Sequence, residues 1–489
     1  MGYLSKTARI PYTRCVETGY QVLAATTPCR AWSHFLELQK NQWLTRQQLD
    51  DLRWQRLKRL LNVTYDTIPF YRDLWKRSNV DPRRFDALNN MLDLPVVDKQ
   101  ILTRAQQEDG FGLSKQKGYD VAHTSGTTGI RFQIPFTFAT FQKKYASHLR
   151  QMYACGWRLG VSSATLHYSG HSQFRGKYTG RPDDREPFMR VRETALAIAH
   201  RRRVLTPYHS LETGDDAQVQ SWYDVLASRQ PYMFETLDFN LPILKNFIEN
   251  NNLPRLHIPK TFVLGTYSRA LRTELQRFFA TELFNRYSPH EIEGVAFSCN
   301  VHRGMHMAID CYHTEFLDQQ DQPVAPGEIG HIVVTDMENY LMPLIRYKVG
   351  DVGHYYDEPC TCGRTMPLMG DIDGRTRDCF QSAAGALIAP SRVAAILQDE
   401  PDVVLFQAVQ NEDRTVSVNI VYRRNSPVDD VNERIRKQFE NLLGAGVPIN
   451  LSAVRSIRLE PNGKCCFVKR GTPADEYAAD TNTRGENTQ

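Results

Sequence analysis

The sequence predicts a large α/β domain followed by a small α+β domain. Helical patterns dominate the first part of the chain, and short apolar runs alternate with helix-like runs through the middle. Near the end, two β-branched strands precede an amphipathic helix. Alternating strands and helices favour an α/β architecture, whereas strands grouped beside one helix favour a small α+β unit. We therefore expect mixed sheets and helices in the large domain.

The region from about residue 35 to residue 110 is predicted to be helical. Trp54, Leu57 and Leu61 recur at helical spacing, with basic residues between them. Pro69 ends this pattern, because a proline disfavours helix at the residue before it. The start of the chain is therefore expected to contribute helices to the large domain.

The middle of the chain supplies strands and further helices. Residues 261–264 form a short apolar run that Gly265 stops, and residues 270–279 then carry apolar side chains on one helical side. Residues 331–335 (His-Ile-Val-Val-Thr) read as a strand rich in β-branched side chains. This alternation is what predicts the α/β class.

The end of the chain predicts a smaller unit. Its predicted elements are strands at 403–409, 416–422 and 453–459, and a helix whose apolar face carries Val431, Ile435 and Phe439. Residues 471–489 are polar and weakly patterned, which is typical of a disordered tail. We place the large domain at 1–374 and the small domain at 375–470.

Composition excludes several classes of protein. The 489 residues include 60 Lys+Arg and 55 Asp+Glu, for a net charge of +5, which is too mild and dispersed to indicate a nucleic-acid binder. The chain has neither an apolar signal segment at its start nor an apolar run long enough to span a membrane. Ten cysteines in such a long chain favour reduced thiols and a cytoplasmic protein over a disulfide framework.

The most informative motif is Thr124-Ser125-Gly126-Thr127-Thr128-Gly129. Its two glycines allow a tight backbone that brings N–H groups close to an anion, and its hydroxyl side chains add donors. Cradling a polyphosphate needs both features. The motif lacks the Gly-Lys-Ser/Thr ending of a Walker loop. A polar hairpin turn is the alternative interpretation.

Four further motifs follow in order, at residues 287–291 (Tyr-Ser-Pro-His-Glu), 347–351 (Tyr-Lys-Val-Gly-Asp), 374–378 (Gly-Arg-Thr-Arg-Asp) and 461–464 (Pro-Asn-Gly-Lys). Together with the phosphate loop, they resemble the motifs of the adenylate-forming superfamily of acyl-CoA ligases, adenylation domains and luciferases. Residues 68–71 (Ile-Pro-Phe-Tyr), 343–347 (Pro-Leu-Ile-Arg-Tyr) and 360–364 (Cys-Thr-Cys-Gly-Arg) resemble the branch that contains phenylacetate–CoA ligases and CapK.

The resemblance implies a large adenylate-forming domain with a small mobile lid, and it assigns roles to single residues. The loop from Thr124 to Gly129 would hold the phosphates of ATP, and Glu291 would hold Mg²⁺, which prefers oxygen ligands. Tyr287 would stack on adenine, and Asp351 would accept hydrogen bonds from ribose.

Three more residues complete the expected site. Arg375 would reach the phosphates or the ribose, and Lys464 would neutralise charge at the reacting centre. His290 replaces the motif's threonine, so it either substitutes for that hydroxyl or changes the substrate. The alternative interpretations are that Tyr287 is a core aromatic residue and that Glu291 is a solvated carboxylate in a loop. In the same way, Asp351 would be a turn aspartate and Lys464 a surface lysine.

Cys299, His306, Cys360 and Cys362 form a candidate structural zinc site. Four nitrogen and sulfur ligands in a tetrahedral array are what Zn²⁺ prefers, and a closed set of four is structural rather than catalytic. The resemblance to the branch that contains phenylacetate–CoA ligases and CapK implies a similar set of ligands. His302, Cys311 and His313 are rival ligands, and ordinary thiols with a surface histidine are the alternative.

The resemblance therefore implies an ATP-dependent ligase that converts a small carboxylic acid to an acyl-adenylate and pyrophosphate, then transfers the acyl group to CoA or another acceptor such as a carrier. Two alternatives remain open: an adenylyltransferase that leaves AMP on its substrate, and a degenerate nucleotide-binding protein of capsule biosynthesis. Ser288, His290 and Arg377 depart from the motifs.

Overall fold

The computed structural model describes residues 17–19, 30–123, 132–166, 202–205, 213, 215–289, 291–460 and 465–471. Within them, the longer helices are α1 (Ala31–Asn41), α2 (Arg46–Thr67), α3 (Pro69–Arg77), α4 (Lys99–Gln107), α5 (Phe138–Ala154), α6 (Asp216–Arg229), α7 (Asn240–Asn250), α8 (Arg269–Phe279), α9 (Pro390–Gln398) and α10 (Val428–Leu443). None of the helices so described is long and apolar enough to cross a membrane.

The strands of the large domain, in chain order, are β1 (Tyr119–His123), β2 (Gln133–Thr137), β3 (Ser163–Leu166), β4 (Arg202–Val204), β5 (Met233–Leu237), β6 (Lys260–Leu264), β7 (Glu282–Tyr287), β8 (Ala296–Ser298), β9 (Met305–Met307), β10 (Tyr312–Leu317), β11 (Gly330–Asp336), β12 (Tyr347–Gly353), β13 (Tyr355–Tyr356), β14 (Leu368–Met369) and β15 (Gly374–Arg375). Those of the small domain are β16 (Phe380–Gln381), β17 (Leu387–Ile388), β18 (Val403–Gln410), β19 (Val416–Tyr422), β20 (Ile449–Ala453) and β21 (Val468–Arg470).

The N-terminal helices follow from local sequence signals. Thr45 caps α2, since its hydroxyl accepts from the backbone N–H of Gln48 while the Gln48 side chain accepts from the Thr45 N–H. Ile68 is extended and ends α2, and Pro69 begins α3. Leu57 and Leu61 are fully buried, which confirms the helical spacing.

A nine-stranded sheet runs through the large domain in the order β13-β14-β9-β8-β7-β6-β5-β3-β4. The strands from β4 to β7 are parallel, and those from β7 to β13 are antiparallel. The change occurs at β7, whose last residue is Tyr287. The predicted strand and helix at 261–279 are confirmed as β6 and α8.

A second sheet has the order β10-β11-β12-β15, and it contains the predicted strand at 331–335 within β11. Asp351 of β12 pairs with Arg375 of β15 in antiparallel register. Gly374 and Arg375 therefore belong to a sheet of the large domain, while β16 and the elements after it form separate sheets.

The small domain packs α10 against the sheet β20-β19-β18-β21. Val431, Ile435 and Phe439 are all fully buried, which confirms the predicted apolar face of this helix.

The strand predicted at 453–459 is wrong. β20 ends at Ala453, and residues 454–459 form no strand, with only an isolated bridge at Arg458. The apolar side chains that suggested a strand, Ile457 and Leu459, are buried instead in a cluster with residues of the large domain such as Trp222. Their pattern therefore reflects a contact between domains.

Candidate functional site

The predicted phosphate loop lies between β1 and β2, which pair in antiparallel register from Tyr119↔Thr137 to His123↔Gln133. Residues Thr124 to Gly129 themselves, together with His290 and Lys464, lie outside the described residues. Gln133 begins the strand that leads into α5, where the Thr137 hydroxyl caps the helix by accepting from the Thr140 N–H.

Tyr287, Asp351 and Arg375 come together at the junction of the two sheets. The Tyr287 hydroxyl donates to the Asp351 carboxylate over 2.8 Å, and the Arg375 guanidinium lies 3.9 Å from the other carboxylate oxygen. Tyr287 is 5% exposed. Burial, with a smaller effect from the Asp351 charge, raises the pKa of Tyr287 well above its usual value. Tyr287 therefore anchors Asp351 between its own hydroxyl and the Arg375 guanidinium.

Glu291 lies close to this group and is partly buried. Burial raises the pKa of its carboxyl above 4.5, and the nearby Lys99 charge opposes that rise. Burial, and next the charge of Glu291, raise the pKa of Tyr347 at the start of β12, so this hydroxyl is electrostatically coupled to the Glu291 carboxylate. A solvated loop glutamate would have none of these features. Glu291 is instead a carboxylate under the influence of a nearby hydroxyl and a nearby cation.

Lys99 is the residue of this site that the sequence motifs do not reveal. Burial lowers the pKa of its ammonium group, and the charges of Arg375 and Arg377 act in the same direction, while Glu291 opposes them. Its position has a local origin, because the Asp98 carboxylate caps α4 by accepting from the Ile101 N–H. Val97 hydrogen-bonds to the backbone at Arg346 and Lys348, which fixes this turn beside β12.

Two motif residues have structural roles. The hydroxyl of Ser288 accepts from the Gly294 N–H over 3.1 Å, which closes the loop that carries Glu291. Arg346 is fully buried, and its guanidinium pairs with Glu315 and donates to the carbonyl of Leu92. These bonds hold the backbone just before Tyr347.

The four predicted zinc ligands converge. Each offers one ligand atom, and these atoms all lie within 4.8 Å of one another. The Cys299 and Cys360 sulfurs are 3.7 Å apart, and the Cys362 sulfur is 3.3 Å from His306 Nε2. The Nδ1 atom of His306 lies 3.2 Å from the Met366 carbonyl. This contact orients the ring so that Nε2 faces the three thiols.

The donor set fits zinc. Tetrahedral Zn–S bonds of about 2.3 Å place two sulfurs about 3.8 Å apart, close to the observed sulfur–sulfur distance. The rivals lie elsewhere: His302 packs on the ring of Phe284, Cys311 lies beside Arg150, and His313 lies near Glu315. Among the described residues, the four predicted ligands form the one candidate metal group.

Comparisons with known proteins agree with the motifs. The family model for the CapK C-terminal domain matches residues 380–471. The chain is 27% identical over 399 residues to the phenylacetate-coenzyme A ligase of Thermus thermophilus, covering 80% of this chain and 82% of that enzyme. It is 21% identical over 429 residues to Protein CapK of Staphylococcus aureus, covering 86% and 89%. The chain is therefore similar in sequence to phenylacetate-coenzyme A ligases and to CapK over most of its length.

The chain also has the fold of a solved CoA ligase. It matches 2-hydroxyisobutyryl-CoA ligase in the postadenylation state with a TM-score of 0.72 and 18% identity, covering 88% of this chain and 90% of that one. Against the open conformation and the thioesterification state of the same ligase, the TM-scores are 0.57 and 0.58. The predicted fold class, a large α/β domain with a small α+β domain, is confirmed.

Proposed function

We propose that the chain is an ATP-dependent ligase that adenylates a small carboxylic acid, releases pyrophosphate and then transfers the acyl group to CoA. The observation that carries the proposal is the convergence of Glu291, Lys99, Asp351 and Arg375 where the two sheets of the large domain meet. Homology to phenylacetate-CoA ligases supports the same reaction.

The first half-reaction joins the acid to the α-phosphorus of ATP and expels pyrophosphate. This chemistry depends on positioning and on neutralising charge, with little covalent help from the protein. In our proposal, the loop from Thr124 to Gly129 binds the phosphates, Asp351 binds the ribose hydroxyls, and Tyr287 packs on adenine. Lys464, with Lys99 and Arg375, supplies positive charge at the reacting centre.

Glu291 would hold Mg²⁺. Its carboxylate oxygens are the ligands that this ion prefers, and its partly buried position is influenced by the charge of Lys99. Bound there, Mg²⁺ would neutralise phosphate charge and help to orient the leaving pyrophosphate. Lys99 would keep Glu291 ionised, because its charge lowers the pKa of that carboxyl.

Cys299, His306, Cys360 and Cys362 would hold a structural Zn²⁺. Four protein ligands leave no open position for substrate, so this ion would join the loop after β8 to the loop before β14 and stabilise the fold. Loss of the ion is therefore expected to act on stability first.

The small domain would move between the two half-reactions. We place its boundary between Arg375, which belongs to the second sheet, and Phe380, which begins the small domain. Rotation about Arg377 and Asp378 would withdraw Lys464 and admit the thiol of CoA.

The test is to incubate the purified protein with ATP, Mg²⁺, CoA and a panel of aliphatic, hydroxylated and aromatic acids. AMP, pyrophosphate and acyl-CoA are then measured by mass spectrometry. The proposal expects one acyl-CoA and one AMP for each acid consumed. An AMP-modified product that pyrophosphate does not convert back to ATP would point to an adenylyltransferase. The absence of any acid-dependent AMP would contradict the proposal.

The match of residues 380–471 to the CapK C-terminal domain favours one second candidate, a nucleotide-binding protein of capsule biosynthesis. Nucleotide binding without any turnover across the acid panel is the outcome that this candidate predicts. Titration with ATP in the absence of acid measures the binding separately from the reaction.

A further inference from the structure

Four charged side chains connect the large domain to the small one. Lys245 and Glu249 come from α7, Glu274 comes from α8, and Arg423 directly follows β19 of the small domain. Lys245 Nζ lies 2.7 Å from Glu249 and 2.9 Å from Glu274. The Arg423 guanidinium lies 2.8 Å from the same Glu249 oxygen and 3.3 Å from the same Glu274 oxygen. Cations and anions therefore alternate around a closed ring.

Three members of the ring form a socket within the large domain. The side chain of Lys245 is only 7% exposed and lies 5.1 Å from the centre of the Phe278 ring, so its position is fixed by packing. Lys245 holds both carboxylates at once. Because the socket contains two anions and one cation, it keeps one net negative charge, which Arg423 neutralises.

Arg423 is presented to this socket by bonds within its own domain. Its backbone N–H donates to the Asp402 carbonyl over 2.8 Å, and its Nε donates to the Pro401 carbonyl over 3.1 Å. The two remaining nitrogens are thereby directed at Glu249 and Glu274. A planar guanidinium held in this way can bridge two carboxylates only at one orientation of its domain.

Other contacts between the domains combine hydrogen bonds with apolar packing. Gln398 bonds to the backbone of Ser268 and Thr266, Ile457 exchanges hydrogen bonds with Thr213, and Ile457 and Leu459 are buried against the large domain. These contacts stabilise the arrangement, and the charged ring adds ion pairs whose strength depends on ionic strength.

We propose that Arg423 is the positioning residue that holds the small domain in the arrangement for adenylate formation, and that this arrangement must release Arg423 before thioester formation. The proposal rests on the proposed function. The chain matches the postadenylation state of the solved ligase with a TM-score of 0.72, and its open and thioesterification states with TM-scores of 0.57 and 0.58, so its domain arrangement is closer to the first of these three states.

The location of the ring makes the contact reversible. Lys245, Glu249, Glu274 and Arg423 line an open groove of about 790 Å³, so water and salt reach the ion pairs. Accessible ion pairs are weak and sensitive to ionic strength. A contact of this strength can bias the domain orientation and still break during turnover.

The test compares Arg423→Gln with Arg424→Gln, in which the neighbouring exposed arginine is changed. Hydrogen exchange of α8 and of residues 398–403 reports the domain contact without needing activity. Acid-dependent ATP–pyrophosphate exchange reports the first half-reaction, and acyl-CoA formation from preformed acyl-adenylate reports the second. The charge-exchanged variant Glu274→Arg with Arg423→Glu tests the pairing directly.

We expect Arg423→Gln to speed hydrogen exchange at the contact and to slow ATP–pyrophosphate exchange by about three- to tenfold, as the loss of a small ion-pair network implies. Thioester formation should be equal or faster, Arg424→Gln should match the parent, and the charge exchange should recover part of the loss. As the salt concentration rises, the hydrogen exchange and the ATP–pyrophosphate exchange of the parent should approach those of Arg423→Gln.

Equal hydrogen exchange in the two glutamine variants would overturn the proposal, and so would equal slowing of both half-reactions. If no variant supports pyrophosphate exchange with any acid, the proposed function fails, while hydrogen exchange and its salt dependence still decide whether Arg423 holds the domain.

Discussion

Around Glu291, carboxylates and cations from separate elements lie near one another, and Asp351 is bonded to Tyr287 and lies close to Arg375. Around Cys299, four nitrogen and sulfur ligand atoms lie within 4.8 Å of one another. Both groups are built from residues far apart in the chain. The first offers carboxylate oxygens and positive side chains, which suit a charged substrate, whereas the second is a closed set of ligands for one metal ion. Convergence alone does not separate chemistry from structural support; the kinds of groups that converge do.

The largest effect that this comparison predicts is at Glu291. Glu291→Gln keeps the shape but removes the negative charge, so ATP–pyrophosphate exchange should fall by about a hundredfold to a thousandfold. Burial penalises the ionised carboxyl, so the melting temperature should stay the same or rise. A variant that loses stability along with activity would show that Glu291 is a structural residue.

At the four candidate zinc ligands, by contrast, we expect a substitution to lower the stability of the protein. Cys360→Ser should reduce zinc from one ion per chain to near zero and lower the melting temperature by roughly 5 °C. Metal analysis of the purified protein checks the first value, and calorimetry checks the second. Cys466→Ser, which changes a thiol outside the cluster, is the matched control. The absence of zinc from the purified parent protein would contradict the proposed zinc site.

Lys99 tests whether the neighbour of Glu291 is part of the site. Lys99→Met removes the charge and retains much of the apolar stem, so exchange should fall by about tenfold through the loss of one charge-assisted contact. Lys115→Met, which changes an exposed lysine, should leave the rate unchanged. Equal rates in the two variants would remove Lys99 from the site.

A smaller effect concerns pH. The pKa of Glu291 is raised by burial, and the proposed role needs the ionised form. As pH falls through this raised pKa, Glu291 takes up a proton, so exchange should decline at a higher pH than for an ordinary carboxyl at 4.5. In Lys99→Met the decline should begin at a still higher pH, because a cation that favours the ionised form is gone. If the pH profile of Lys99→Met is the same as that of the parent, the coupling between Lys99 and Glu291 is contradicted.

Much of the fold and the positions of several site residues follow from the sequence. Tyr287, Glu291 and Asp351 lie in motifs of the sequence, and in the structure Tyr287 ends β7, Glu291 follows it and Asp351 lies within β12. Cys360 and Cys362 can be recognised as candidate ligands by their residue type. Lys99 cannot be recognised in this way, since a lysine at the start of a helix carries no signal of a nearby carboxylate.

Contacts between domains are also hidden from the sequence. Arg423 is 174 residues from Glu249 and 149 residues from Glu274, and only the docking of the small domain brings these side chains together. The prediction of a strand at 453–459 is wrong for the same reason, because the apolar side chains of Ile457 and Leu459 pack on the large domain. Periodicity reports that a side chain is buried but not which surface buries it.

The most direct test of the central claim is acid-dependent exchange of pyrophosphate into ATP without CoA, measured for the parent chain across the acid panel. We predict that at least one acid supports exchange, that omission of the acid abolishes it, and that Glu291→Gln lowers it by about a hundredfold or more. Exchange that does not depend on any acid, or that Glu291→Gln leaves intact, would contradict the account.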